Sequence, residues 1–194
     1  YRHRTATSKI AKAAPAARIL PAPQQPPRQQ SPVRLPTLGA FWNDIMEKFN
    51  ILKGVAAPLM QDNINTDAII PADWLRSVHA DHSEGLFGRW RYNEDGEENP
   101  DFLLNEPRYR GARILIAGRN FGCGSSRENA VWALLAYGIR CVIAPSFGDI
   151  FRENGTKNGL LAIRLSTEFI NAIAAEFPPF NGPAEMTVDL IEQR

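Results

Sequence analysis

Past residue 48 the apolar residues fall into short runs separated by polar or glycine-rich links. Residues 49–59 (Phe-Asn-Ile-Leu-Lys-Gly-Val-Ala-Ala-Pro-Leu) predict an opening strand that ends near Pro58. Ile114-Leu115-Ile116-Ala117 and Cys141-Val142-Ile143-Ala144 are continuous four-residue apolar runs, the pattern of strands buried on both faces. Between them, residues 127–137 carry a helical repeat closed by Gly138. A short helix over 146–153 follows, then turns at Asn154-Gly155 and Asn158-Gly159 and a strand over 160–165. Ser166 is placed to cap a helix over 167–177 with Phe169, Ile170 and Ile173 on its apolar positions. A last strand is expected over 186–191. Alternating strands and helices with short links predict an α/β fold around a parallel strand–helix core. Residues 77–100, rich in glycine, acids and aromatics, read as a long loop or flap with a turn at Asn93-Glu94-Asp95-Gly96.

Composition divides the chain. Residues 1–45 hold seven basic side chains against the single acid Asp44, and seven of the fifteen prolines. Such a segment has too little apolar surface to offset its ordering entropy, so it is expected to be a disordered basic extension. Its Arg-rich, acid-poor character is also that of organellar transit peptides, although Met46-Glu47-Lys48-Phe49 reads as a natural start. From residue 46 onward the balance is fifteen basic to twenty acidic side chains, which argues against a nucleic-acid-binding surface. Residues 46–194 suit one domain. Cys123 and Cys141 are the only cysteines: no disulfide framework, a fit to the cytoplasm, and too few thiolates for an iron–sulfur cluster.

The densest chemistry lies in Asn120-Phe121-Gly122-Cys123-Gly124-Ser125-Ser126-Arg127-Glu128, between a predicted strand and a predicted helix. Gly122, Cys123 and Gly124 let backbone approach an anion, a helix start stabilises negative charge, and Arg127 can grip a carboxylate with two parallel bonds. The plainer reading is a capping box, with Ser125 at the N-cap and Glu128 three residues on. Cys123 as a nucleophile lacks a nearby histidine, and His79 and His82 read as solvated loop residues rather than metal ligands. Gly-x-Gly without a third glycine is a poor dinucleotide fingerprint, and Ser125 sits in no Gly-x-Ser-x-Gly elbow. Asp67 either stabilises its own polar turn or serves a site.

Five ordered blocks carry a resemblance. They are Gly54-Val55-Ala56-Ala57-Pro58-Leu59, Asn63-Ile64-Asn65-Thr66-Asp67-Ala68-Ile69-Ile70-Pro71, Asn99-Pro100-Asp101-Phe102-Leu103-Leu104-Asn105, the Asn120 to Glu128 stretch, and Val142-Ile143-Ala144-Pro145-Ser146-Phe147-Gly148-Asp149-Ile150-Phe151. Over about residues 46–191 the chain resembles the 3-isopropylmalate dehydratase small-subunit family, the detached counterpart of the swivelling domain of aconitase. The resemblance implies a layered β/β/α swivelling domain. It also implies a hydro-lyase that isomerises 2-isopropylmalate to 3-isopropylmalate through isopropylmaleate in leucine biosynthesis. It implies a large partner subunit bearing a [4Fe–4S] cluster, in a heterodimer or heterotetramer, with no metal on this chain.

By the same resemblance Ser125 removes a proton, Ser126 and Arg127 bind substrate and steady the serine oxygen, and Thr66 and Asp67 reach the cluster side. The isopropyl pocket is expected to draw on residues 72–90. Two departures stand out: Asn129 where many relatives carry histidine, and no family C-terminal tail after Arg194, so a truncated domain is expected. Alternatives are a related hydro-lyase for another diacid, such as citraconate or 2-methylmalate, and a non-catalytic carboxylate-binding subunit.

Overall fold

The computed structural model describes residues 49–75, 81–125, 127–177 and 184–193. The expected disordered extension over 1–45, the start at Met46, His79 and Ser126 lie outside the described residues.

Strand β1 (Ile51–Leu59) is followed by a single helical turn, α1 (Thr66–Ile69), and a 3-10 turn over Ala72–Leu75. Two further single turns, α2 (His82–Gly85) and α3 (Gly88–Arg91), precede β2 (Ile114–Ala117). The chain then runs α4 (Glu128–Tyr137), β3 (Cys141–Ala144), α5 (Asp149–Lys157), β4 (Leu161–Arg164), α6 (Thr167–Ala175) and β5 (Glu185–Asp189). The strands form one sheet in the order β4-β3-β2-β1-β5. Neighbours from β1 to β4 pair in parallel, with Ala56 opposite Ile114 and Leu115 opposite Val142, while β5 closes the β1 edge antiparallel. The α/β class with a parallel core is as expected.

Successive side chains on a strand point to opposite faces, so both faces of these apolar runs need cover. Leu115, Ala117, Val142 and Ala144 pack with Ala130, Val131, Ala133 and Leu134 of α4 and with Phe151 of α5. Ile114, Ile116, Cys141 and Ile143 pack on the other face with Ile170 of α6 and Val188 of β5. Burial in this second layer pushes the Cys141 thiol up to about 12, far from any reactive range. Helix α4 ends as predicted: Gly138, at φ 110°, donates its N–H to the carbonyls of Leu134 and Leu135. Ser166 caps α6, its Oγ accepting the Phe169 N–H at 3.4 Å, but Phe169 itself stands 65% exposed.

Four local expectations are corrected. Asn154-Gly155 does not turn the chain: Gly155 is buried inside α5, facing Leu160, and the turn comes only at Asn158-Gly159. The capping box does not form, because α4 starts at Glu128 with Arg127 as its N-cap, and the Glu128 carboxylate accepts from Asn158 Nδ2 at 2.9 Å. In the expected flap the turn at Asn93–Gly96 is present and exposed, but residues 85–88 and Arg91 are buried. Leu86 and Phe87 are fully buried, and Phe87 stacks on Trp90 with centroids 5.5 Å apart. The buried Arg91 guanidinium donates to the Ser83 carbonyl at 2.8 Å and lies over the Tyr92 and Tyr137 rings. Asn105 Nδ2 bonds the carbonyls of Arg91 and Asn99 at 2.7 and 2.8 Å. His82 is half-buried rather than free in solvent; it meets Trp132 edge-on, and its Nε2 is buried.

Candidate active site

Ligand sites in parallel sheets gather where loops leave the carboxyl ends of the strands. Here the loops after β1, β2 and β3 lie side by side and are stitched by backbone bonds. Asn63 donates to Arg119 O at 2.8 Å, Gly122 to Ile64 O at 2.7 Å, and Thr66 to Cys123 O at 2.9 Å. On the other side Phe121 donates to Ser146 O at 3.0 Å and Gly148 to Phe121 O at 2.8 Å. The parallel ladder thus continues past the sheet into the loops, with bridges at Asn65–Cys123 and Phe121–Phe147. An exposed ion pair ties the first two loops: the Arg119 backbone N–H and guanidinium both bond Asp62, which holds the Asp62 carboxyl below its usual range.

Two positions explain the glycines. Gly122 has φ 72°, and a Cβ there would lie 2.2 Å from Cγ of Phe151, so only glycine fits above that ring. A Cβ at Gly148 would lie 2.5 Å from the Gly122 carbonyl oxygen, so the third loop nests directly on the second.

Within this layer the predicted residues largely converge. Thr66 is buried, and its Oγ1 donates to the Ser125 carbonyl at 2.7 Å, fixing the chain at the serine. Arg127 forms an ion pair with Asp67, Nη1 to Oδ1 2.6 Å, without the alignment of a hydrogen bond. A cavity of about 200 Å³ is lined by Thr66, Gly122, Gly124, Ser125 and Arg127, together with Gly148, Asp149, Ile150 and Phe151. Asp67 reaches it through Arg127. Cys123 contributes its carbonyl to the stitching rather than its side chain to the cavity lining. Ser125 is exposed and lies two residues before Arg127, the α4 N-cap, so the serine is not the capping residue of that helix.

The contribution of the α5 start was missed from sequence, although Ser146-Phe147-Gly148-Asp149-Ile150-Phe151 follows a predicted strand. Its position at the carboxyl end of β3, beside the glycine loop, was the available signal. None of the described residues of 72–90 lines the cavity. Among the described residues no three His, Cys, Asp or Glu side chains converge as a metal site.

The Aconitase C-terminal domain model matches residues 46–168. The 3-isopropylmalate dehydratase small subunit of Rhodopseudomonas palustris strain TIE-1 is 54% identical over 149 residues, covering 76% of this chain and 74% of the relative. The chain belongs to the 3-isopropylmalate dehydratase small-subunit family. The same-named subunit of Brucella anthropi is 55% identical over 146 residues, covering 75% of this chain and 72% of the relative. Among solved structures, a crystal structure of 3-isopropylmalate dehydratase from Methanocaldococcus jannaschii superposes with a TM-score of 0.52 at 31% identity. The match covers 73% of this chain and 72% of that one. Family membership gives the stitched loops a chemical context: the block with two glycines, Ser125 and Arg127 lies inside the matched domain.

Proposed function

We propose that the chain is the small subunit of a 3-isopropylmalate dehydratase. In this reading it acts with a large subunit to move the hydroxyl of 2-isopropylmalate by dehydration and rehydration, in leucine biosynthesis. The observation that carries the reading is the convergence of Thr66, Ser125 and Arg127 on one cavity in a chain that is 54% identical over 149 residues to a named small subunit.

Ser125 takes the proton next to a substrate carboxylate. A serine is a weak base unless its oxygen is stabilised, and the start of α4 together with the Arg127 cation supplies that stabilisation in a site closed by a partner. Thr66 holds the serine backbone through the 2.7 Å bond, so the oxygen is placed by the loop rather than by a mobile side chain alone. Asp67 orients the guanidinium, whose five N–H donors exceed what one carboxylate oxygen can use, leaving donors for a substrate carboxylate. Ser126 is assigned to substrate binding by the family resemblance.

The [4Fe–4S] cluster is proposed to sit in the large subunit, because the two cysteines here are a buried strand residue and a loop residue and cannot supply three or four thiolates. When bound, the cluster supplies a Lewis acid for the departing hydroxyl.

The test is alkene formation from 3-isopropylmalate, followed anaerobically by ultraviolet absorbance, with this chain alone, the cognate large subunit alone and the two mixed. Turnover is expected only in the mixture. Ser125→Ala is expected to abolish it while the subunits still assemble; activity surviving that change would remove serine as the base and leave a carboxylate-binding role.

A further inference from the structure

The polar side of the cavity answers for the charged ends of a diacid but not for its alkyl branch. Its lining holds two apolar side chains, Ile150 and Phe151. Phe151 is only 3% exposed: its ring lies under Gly122 and edge-on to Phe121 at 5.3 Å, so it is committed to supporting the loop. Ile150, in the first turn of α5, is 49% exposed, although it borders a cavity otherwise made of glycines, hydroxyls and charges.

Single exposed aliphatic side chains are common on protein surfaces, but this one lines the cavity and is the lining side chain left free to make an apolar contact there. Charge assigns the ligand part. Arg127 draws a carboxylate toward the serine side, and Asp149, exposed next to Ile150, repels one from the α5 side. The neutral alkyl group is the part of the diacid that suits the α5 wall.

We propose that Ile150 is a specificity residue, the apolar contact that selects the branched alkyl group of the substrate. The inference rests on the isopropylmalate reading above and deepens it. It also relocates part of the expected isopropyl pocket from residues 72–90 to the start of α5.

The experiment uses the assembled complex of this chain with its cluster-bearing large subunit. kcat/KM is measured for 2-isopropylmalate and for 2-methylmalate, with Ile150→Ala and Ile150→Val beside the unmodified protein. A difference of a few methyl groups in an apolar contact changes discrimination by roughly 10-fold or more. Ile150→Ala is therefore expected to lower the isopropyl-to-methyl ratio by about 10-fold, with Ile150→Val in between. Because both substrates are turned over by the same complex, weakened assembly cancels from the ratio. An unmodified complex that prefers the isopropyl diacid, joined to an unchanged ratio in both variants, would overturn the role of Ile150 alone. An unmodified complex that turns over neither diacid, or prefers the methyl one, would overturn the substrate reading and this inference with it.

Discussion

Gly122→Ala tests the stitched loops most directly. Gly122 sits at φ 72°, and the new methyl carbon would fall 2.2 Å from Cγ and 2.6 Å from both Cδ atoms of Phe151. The left-handed backbone costs a non-glycine residue about 1–2 kcal/mol. Forcing an extra carbon into a packed site adds about 1–3 kcal/mol. The sum, about 2–5 kcal/mol, is a large part of the 5–15 kcal/mol that holds a domain together. Gly111→Ala is the matched control: φ is 70° and nothing lies within 4 Å of its Cβ, so it carries only the backbone part. Urea unfolding of the two variants should differ in stability by about 1–3 kcal/mol. Adding Phe151→Ala to Gly122→Ala should cost less than Phe151→Ala costs alone, because the clash and the cavity share one site. Turnover in the assembled complex should fall by about 100-fold if the loop moves by an ångström. Equal unfolding curves for the two glycine variants, with additive effects of Phe151→Ala, would refute the claim that the ring sets the position of the glycine loop.

Two further outcomes follow from burial. The Cys141 thiol is raised from 9.0 to about 12 by burial, so between those values the folded state keeps a proton that the unfolded state has lost. Its contribution is present in full below pH 9.0 and is lost as pH rises toward 12, with a limiting slope of about 1.4 kcal/mol per pH unit. Urea midpoints from pH 7 to 10 should fall more steeply for the native sequence than for Cys141→Ala; parallel curves would contradict the burial. Arg91→Ala should destabilise the 81–105 layer by about 2–4 kcal/mol, through the lost charged bond to the Ser83 carbonyl and the two ring contacts. Arg91→Lys should not restore it, because an ammonium cannot span the same partners, and thermal unfolding of both variants checks this.

Elements with a strong local signal were legible. The runs at 114–117 and 141–144, the Gly138 stop and the Ser166 cap each carry their cause within a few residues. The misses share another cause: each was decided by a packing or side-chain contact that the local residue pattern does not show. Glu128 looks like a capping residue until Asn158, thirty positions later, takes its carboxylate. Asn154-Gly155 has the composition of a turn, but the helix continues because Gly155 seats against Leu160. The 81–105 segment has the acids and glycines of a mobile loop, and it is ordered by Arg91 and Asn105, which bond backbone carbonyls from several turns. At the site the glycine loop and its serine and arginine were readable. The α5 wall was signalled only by its place at the carboxyl end of β3, and no residue pattern marks Ile150 itself as lining the cavity.

The stitching of the loops also sets a schedule for synthesis. Thr66 grips the carbonyl of a residue 59 positions later, and Asp62 and Asn63 likewise reach 57 positions forward. At 5–20 residues per second the ribosome needs roughly 3–12 s to deliver Ser125 after Thr66 has been made. Throughout that interval the nascent chain carries one half of each of these bonds without the other. Assembly with a large subunit that required the finished loops could begin only after β3 and the start of α5 had left the exit tunnel.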